Sequence, residues 1–242
     1  RFLPHMRRAG TWLTHQVDPH NGLIRGGRGR WVKGGAQFDP DHVATWASTE
    51  HNVDAWFALR LAVKLDPTGP WPDPAALQRA IATRLWMPTQ GRYARGIHGK
   101  RRDTVIALDA AGTWSALHAI ATRQTARAVR ALTFVEQRLA FQEAGWLAHR
   151  PDNEVGADLW FVEGSVARGM ALSRLGQPIR AKQVLSQLAQ WACARGIPLA
   201  YSSRWHPDFP LTPAAAPTAW FVLAAREVVR GDSPFLWRTR LP

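Results

Sequence analysis

One supersecondary unit recurs along this chain of 242 residues, and the recurrence limits the fold more than any single motif does. Four short segments that open on glycine read as extended: 22–26, 91–96, 145–149 and 196–201. Each is followed by a polar loop and then an apolar helix, at about 48–65, 106–122, 158–175 and 214–230. Amphipathic helices at 74–86, 125–141 and 178–195 lie between them, with Arg and Gln on the outer face, and a helix at 4–16 precedes the first extended piece. The punctuation agrees: Ser48 or Thr49 can cap a helix, Pro74 and Pro178 open helices, and Gly176 closes one. A helical hairpin of this kind cannot bury its apolar face alone, so successive units stack. The expected fold is all-α, a helical-hairpin array in one domain over 1–242, with the inner helices converging on one mouth.

Composition narrows the class. At 46% hydrophobic the chain can bury a sizeable core, yet no apolar run reaches the roughly 18 residues that span a bilayer. One cysteine, Cys193, leaves no internal disulfide or cysteine cluster, and its place on the outer helix 178–195 predicts a buried, inert thiol. A first residue other than Met suggests a processed form or a fragment. The formal charge of +13 invites a nucleic-acid reading. No zinc finger, helix-turn-helix or RNA-binding aromatic motif accompanies it, so no specific nucleic-acid partner is expected. The densest clusters, 25–33 and Lys100-Arg101-Arg102, suit a solvated basic surface or attraction to an anionic glycan or a membrane surface.

Motifs for other chemistries are missing. The nine histidines show no metal-ligand spacing on a helix, so no metal is expected. The Gly-rich stretch around Arg28 lacks the P-loop Lys-Ser/Thr and reads as a flexible loop, and no cofactor is expected. Asp39-Pro40-Asp41-His42 reads as a turn, and no nucleophile elbow is present.

Carboxylates and tryptophans carry the remaining signal. Glu50, Asp109 and Glu163 stand near the starts of successive inner helices, 59 and 54 residues apart, and Asp54 lies one helical turn after Glu50. An acid in a first turn also suits the helix dipole and a capping role. Thirteen tryptophans against two tyrosines supply stacking surfaces for sugar rings. Trp46, Trp114 and Trp160 form candidate walls, and Tyr201 with Trp205 a further one. His51 is placed either to orient an acid or bind a hydroxyl, or to serve as a helix-start residue; Asn52 either bonds a sugar or bridges to a neighbouring repeat. Arg28 lies either in a solvated flexible loop or in a basic loop over a cleft that suits an anionic glycan.

The segments Ser48-Thr49-Glu50-His51-Asn52, Ala107-Leu108-Asp109-Ala110 before Trp114, Trp160-Phe161-Val162-Glu163-Gly164-Ser165 and Thr218-Ala219-Trp220-Phe221 carry a resemblance. Together they resemble the α/α-toroid carbohydrate-active enzymes, which include glycoside hydrolases, polysaccharide lyases and sugar 2-epimerases. The resemblance implies an (α/α)6-like architecture, although eight helices are read here against twelve in a closed toroid. It implies a glycan substrate and, for many such toroids, an inverting hydrolysis.

Glycoside hydrolysis needs a protonated acid and a second carboxylate across the glycosidic bond. Glu50 or Glu163 is the expected proton donor, and Asp109 or Asp54 its partner. Two other readings stay open: a non-catalytic glycan-binding or scaffold module of an exopolysaccharide-synthesis complex, and an epimerase or lyase whose base is His51, His118 or His206.

Overall fold

A computed structural model describes every residue except 1, 33–36, 144, 155–157, 203–208, 210 and 232–242. Eight α-helices are found among the described residues: α1 (Leu3–Gln16), α2 (Thr49–Leu65), α3 (Pro74–Ala80), α4 (Trp114–Ala121), α5 (Thr125–Leu139), α6 (Val162–Arg174), α7 (Pro178–Ala189) and α8 (Ala215–Arg230). Seven fall inside a segment the sequence marks as helical, and α1 starts one residue ahead of its segment, 4–16. Two wider π-helical turns complete them, Ile81–Leu85 after α3 and Asp109–Thr113 before α4.

Local chemistry explains the boundaries. The Ser48 hydroxyl accepts from the backbone N–H of His51 and starts α2. The Asp73 carboxylate accepts from Ala75 and Ala76 ahead of Pro74, and starts α3. Gly231, at φ 69°, ends α8 in the left-handed conformation that glycine adopts without penalty.

The expectation of an all-α fold is corrected by small antiparallel sheets between the helices. Trp46–Ser48, Gly96–His98 and Arg101–Asp103 form a three-stranded sheet. Ala140–Glu143 pairs with Trp146–His149, and Leu159–Phe161 with Ala200–Ser202. Extended backbone has unpaired N–H and C=O groups, and pairing these pieces satisfies them. The Gly-rich stretch is likewise no loop: Gly27–Val32 pairs with Gln37–Ala44, with a bulge between Arg28 and Arg30. Asp39 to His42 is therefore strand rather than turn, and Asp39 pairs with Arg30 at 3.3 Å.

Contacts divide the chain into two compact units, Arg1–Trp86 with Ala94–Thr104, and Met87–Tyr93 with Val105–Pro242. In the first, Val53, Trp56 and Phe57 put an apolar stripe of α2 into a core shared with Leu77, Ile81 and Leu85. The Arg7 guanidinium binds the Asp66 carboxylate with two bonds of 2.8 Å, tying α1 to the end of α2 and holding Asp66 below the usual carboxylate range.

In the second unit, α6 packs against α4, α7 and α8. Leu108, Ala111, Val135, Leu139 and Phe161 form a core cluster. A side chain at Gly112 would meet Val135 at 2.4 Å, so only glycine lets the π-helical turn lie this close to α5. Trp114 to Ile120 of α4 are all buried, as an inner helix requires, whereas α8 leaves Val222 half exposed.

Several arginines here are structural. Arg174 grips Glu227 with bonds of 2.7 and 2.8 Å, both side chains nearly buried, and joins α6 to α8. Arg168 binds Glu136 at 2.6 Å, and Arg180 reaches the same oxygen at 3.1 Å.

Candidate functional site

The first unit places Trp46 between two histidines. The strand Trp46–Ser48 runs straight into α2, so Trp46, Glu50, His51 and Asp54 follow one another around a strand-to-helix corner. Trp46 is half-buried, and the exposed His51 ring lies 6.3 Å from it. The antiparallel register sets His98 directly opposite Trp46, where the two rings stack at 6.1 Å and 20°. Glu50 is half-buried in the first turn of α2 and Asp54 is exposed one turn later. A half-buried indole with an imidazole on either hand offers an apolar surface together with polar partners, the combination on which a sugar ring can stack.

Asn52 is architectural. It is fully buried, accepts from Ile24 N–H at 2.8 Å, and donates to the carbonyls of Ile24 at 2.9 Å and Ser48 at 2.7 Å. Of the two roles open to it, bridging to the preceding extended segment is the one its bonds fill. Arg28 is exposed on the strand Gly27–Val32.

The second unit brings two of the expected acids together. Asp109 opens the π-helical turn before α4, and Glu163 lies in the first turn of α6, which packs against that turn. Both are half-buried. Burial, together with the Asp109 carboxylate, raises the Glu163 pKa above the ordinary value. Asp109 Oδ1 accepts from the Ala110 N–H.

The aromatic walls expected beside these acids turn out to be core. Trp160 is 1% exposed and its indole N–H donates to Ser165 Oγ at 2.8 Å. Trp114 is 2% exposed and meets Trp220 edge-on at 4.9 Å. Neither offers a free ring face for a sugar. Tyr201 does: it stacks on Trp191 at 4.5 Å and 3°, and Trp191 meets Trp160 edge-on at 4.2 Å, so Tyr201 is the 39%-exposed end of an aromatic stack rooted in the core. Trp205 and His206 lie outside the described residues. His118 is fully buried in α4.

Cys193 corrects another expectation. α7 ends at Ala189, and Cys193 stands exposed in a turn closed by its backbone bonds with Gly196. Among the described residues, no three His, Cys, Asp or Glu side chains gather to hold a metal ion. No described helix is long and apolar enough to cross a membrane.

Sequence reasoning missed His98 as a partner of Trp46. The signal lay in the turn: Gly99, at φ 56°, fits the first central position of a two-residue hairpin and so pairs His98 with Arg101.

No protein-family model matches the chain, and no curated protein matches it by sequence. Solved structures do match by shape. A novel alpha-amylase from Clostridium perfringens superposes over 93% of this chain and 67% of its own, with TM-score 0.59 and 7% identity. A sugar epimerase from a ruminal bacterium covers 95% of this chain and 67% of its own, with TM-score 0.60 and 13% identity. Cellobiose 2-epimerase from Spirochaeta thermophila covers 95% and 65%, with TM-score 0.56 and 14% identity. The chain thus spans about two thirds of the length of these proteins and shares their fold over nearly all of its own.

Proposed function

We propose that this chain is a carbohydrate-active enzyme of the α/α-toroid kind that cleaves a glycosidic bond, with Glu163 as proton donor and Asp109 as the charged partner. The observation that carries the reading is the half-buried Glu163 carboxyl, raised by burial and by Asp109. A raised carboxyl keeps a proton to deliver to a leaving oxygen, while the second carboxylate activates water or attacks the sugar. The exposed face of Tyr201 is a stacking surface in the same unit. The fold shared with an alpha-amylase supports a sugar substrate.

The test is product analysis on a panel of β-glucans and acidic polysaccharides. Wild type is expected to release new reducing ends. Glu163→Gln is expected to lose about 10²–10⁴-fold in turnover, the usual worth of a positioned general acid. Full turnover in Glu163→Gln with a native fold sinks the assignment.

A second reading rests on the two sugar epimerases that share the fold. Epimerisation beside a carbonyl removes a proton from carbon and returns it on the other face, so it needs a base that reaches substrate. His51, exposed beside Trp46, is the candidate, whereas His118 is enclosed in its helix. Incubation in deuterated water separates the two: epimerisation exchanges a carbon-bound hydrogen without releasing a new reducing end.

A further inference from the structure

We propose that a cleft in the first unit, lined by Arg84, Lys100, Arg102, His20, Asn21 and Thr83, is a binding site for a phosphate monoester such as a sugar phosphate. The cleft encloses about 430 Å³, and Ile97 and Gly99 complete its wall. This volume is within the range of small-molecule sites and suits a monosaccharide bearing one phosphoryl group.

The charge of the cleft is the main argument. Three permanent cations line it and no carboxylate does. Among the described residues, neither Arg84 nor Lys100 is ion-paired. Of the nearby acids, Asp103 binds Arg95 at 2.8 Å, and Asp18 sits behind the His20–Asn21 wall, accepting from the His20 N–H at 2.8 Å and the Asn21 amide at 3.1 Å, so one carboxylate stands against three cations. Cations gathered without an equal counter-charge repel one another, and an anion of matching charge relieves that repulsion.

The backbone holds this arrangement. Arg102 Nε donates to the Arg84 carbonyl at 2.6 Å and its Nη2 to the Thr83 carbonyl at 3.2 Å. Among the described residues these neutral partners, which fix the guanidinium without neutralising its charge, take two of its five N–H donors. They also cap carbonyls in the π-helical turn Ile81–Leu85. Lys100 sits at the tip of the two-residue hairpin between His98 and Arg101, where Gly99 at φ 56° sets the turn. The guanidinium forks match a phosphoryl group with several oxygens, and a dianion meets three cations better than a single carboxylate does. The Thr83 hydroxyl, which donates to the Arg79 carbonyl and can still accept, and Ile97 offer polar and apolar contacts for the sugar.

This inference stands on the first unit alone and does not depend on the Asp109–Glu163 reading. The experiment is isothermal titration of the whole chain with inorganic phosphate, a hexose 6-phosphate, dimethyl phosphate, a hexuronate and a neutral hexose. The hexose 6-phosphate is expected to bind most tightly and inorganic phosphate next. Because Arg84 and Lys100 are exposed, Arg84→Gln and Lys100→Gln leave the fold intact, which circular dichroism checks. Each is expected to weaken phosphate binding about tenfold, the worth of one charge-assisted contact. Arg138→Gln on α5 is the control and leaves binding unchanged. The proposal is overturned if no probe saturates below about 10 mM. It is equally overturned if dimethyl phosphate or the hexuronate binds as well as the hexose 6-phosphate, or if Arg138→Gln weakens binding as much as the cleft variants do.

Discussion

The starts of α2 and α6 are built alike, yet they use their polar residues differently. In both, a three-residue strand runs into the helix, an acid stands at the second helical position, and a polar residue stands at the fourth. That fourth residue returns a bond to the carbonyl before the helix: Asn52 to Ser48 at 2.7 Å, and Ser165 to Phe161 at 2.8 Å. α8 repeats the device with Thr218 and Ala214 at 2.7 Å. Asn52 and Thr218 also clamp the preceding extended segment, through Ile24 and through the Ile197 N–H at 2.9 Å. Ser165 instead accepts the indole N–H of Trp160. In these three helices the fourth position keeps a polar side chain bonded back to the helix start, although its type changes, whereas the second holds Glu50, Glu163 and, in α8, Ala216. The fourth side chain serves the start of its helix, whereas the second is the position at which chemistry is proposed, in Glu163.

The largest expected effect tests that division at Glu163. Its raised pKa means the charged form is disfavoured in the fold. The stability it contributes is therefore present below its ordinary pKa and is lost as pH rises through the raised value. Glu163→Gln should lose about 10²–10⁴-fold in turnover while melting at a higher temperature than wild type at neutral pH. A structural acid would give the opposite melting shift.

Asn52→Ala comes next. It leaves buried N–H and C=O groups of Ile24 unpaired and should cost about 3 kcal/mol in chemical denaturation. A loss under about 0.5 kcal/mol would show that the clamp is dispensable.

His149 offers a comparable effect spread over pH. It is fully buried near Arg168, and its pKa is pushed down to about 3, by burial first and then by that charge. The unfolded chain takes up the proton near the ordinary value, so stability is fully present above it and falls as pH drops towards 3. The slope is on the order of 1 kcal/mol per pH unit. In His149→Leu the fall over this window should flatten, and coincident pH–stability curves would remove His149 from the account.

The smallest effect is expected at Thr218→Val. Thr218 is half-buried, and losing its bond to Ile197 should cost about 1 kcal/mol, less than the Asn52 variant. If Thr218 mattered more, the fourth-position device would not be graded by burial.

Much of the architecture was legible in the chain. Apolar spacing of 3.6, caps such as Ser48, prolines such as Pro74 and glycines such as Gly176 are local signals, and each helix forms in the segment they mark, α1 starting one residue ahead of it. The same reading took Trp114 and Trp160 for sugar platforms and Asn52 for a possible ligand. Residue type records that an indole or amide is present, not whether core or solvent surrounds it. Strand pairing was hidden for a related reason. Register depends on which extended pieces meet, and no local spacing reveals that Trp46 lies opposite His98.

What the sequence determined by itself was the repeat: helices, their punctuation, and acids recurring at their starts, all set by interactions within a few residues. Only the tertiary structure decided which of these acids meet. Glu163 acquires its raised pKa because α6 buries it beside the Asp109 turn, and Arg84, Lys100 and Arg102 become one cationic cleft because a hairpin folds back on the end of α3. Burial and charge coupling are properties of distance in space, and residues 54 positions apart acquire that distance only when the hairpins pack.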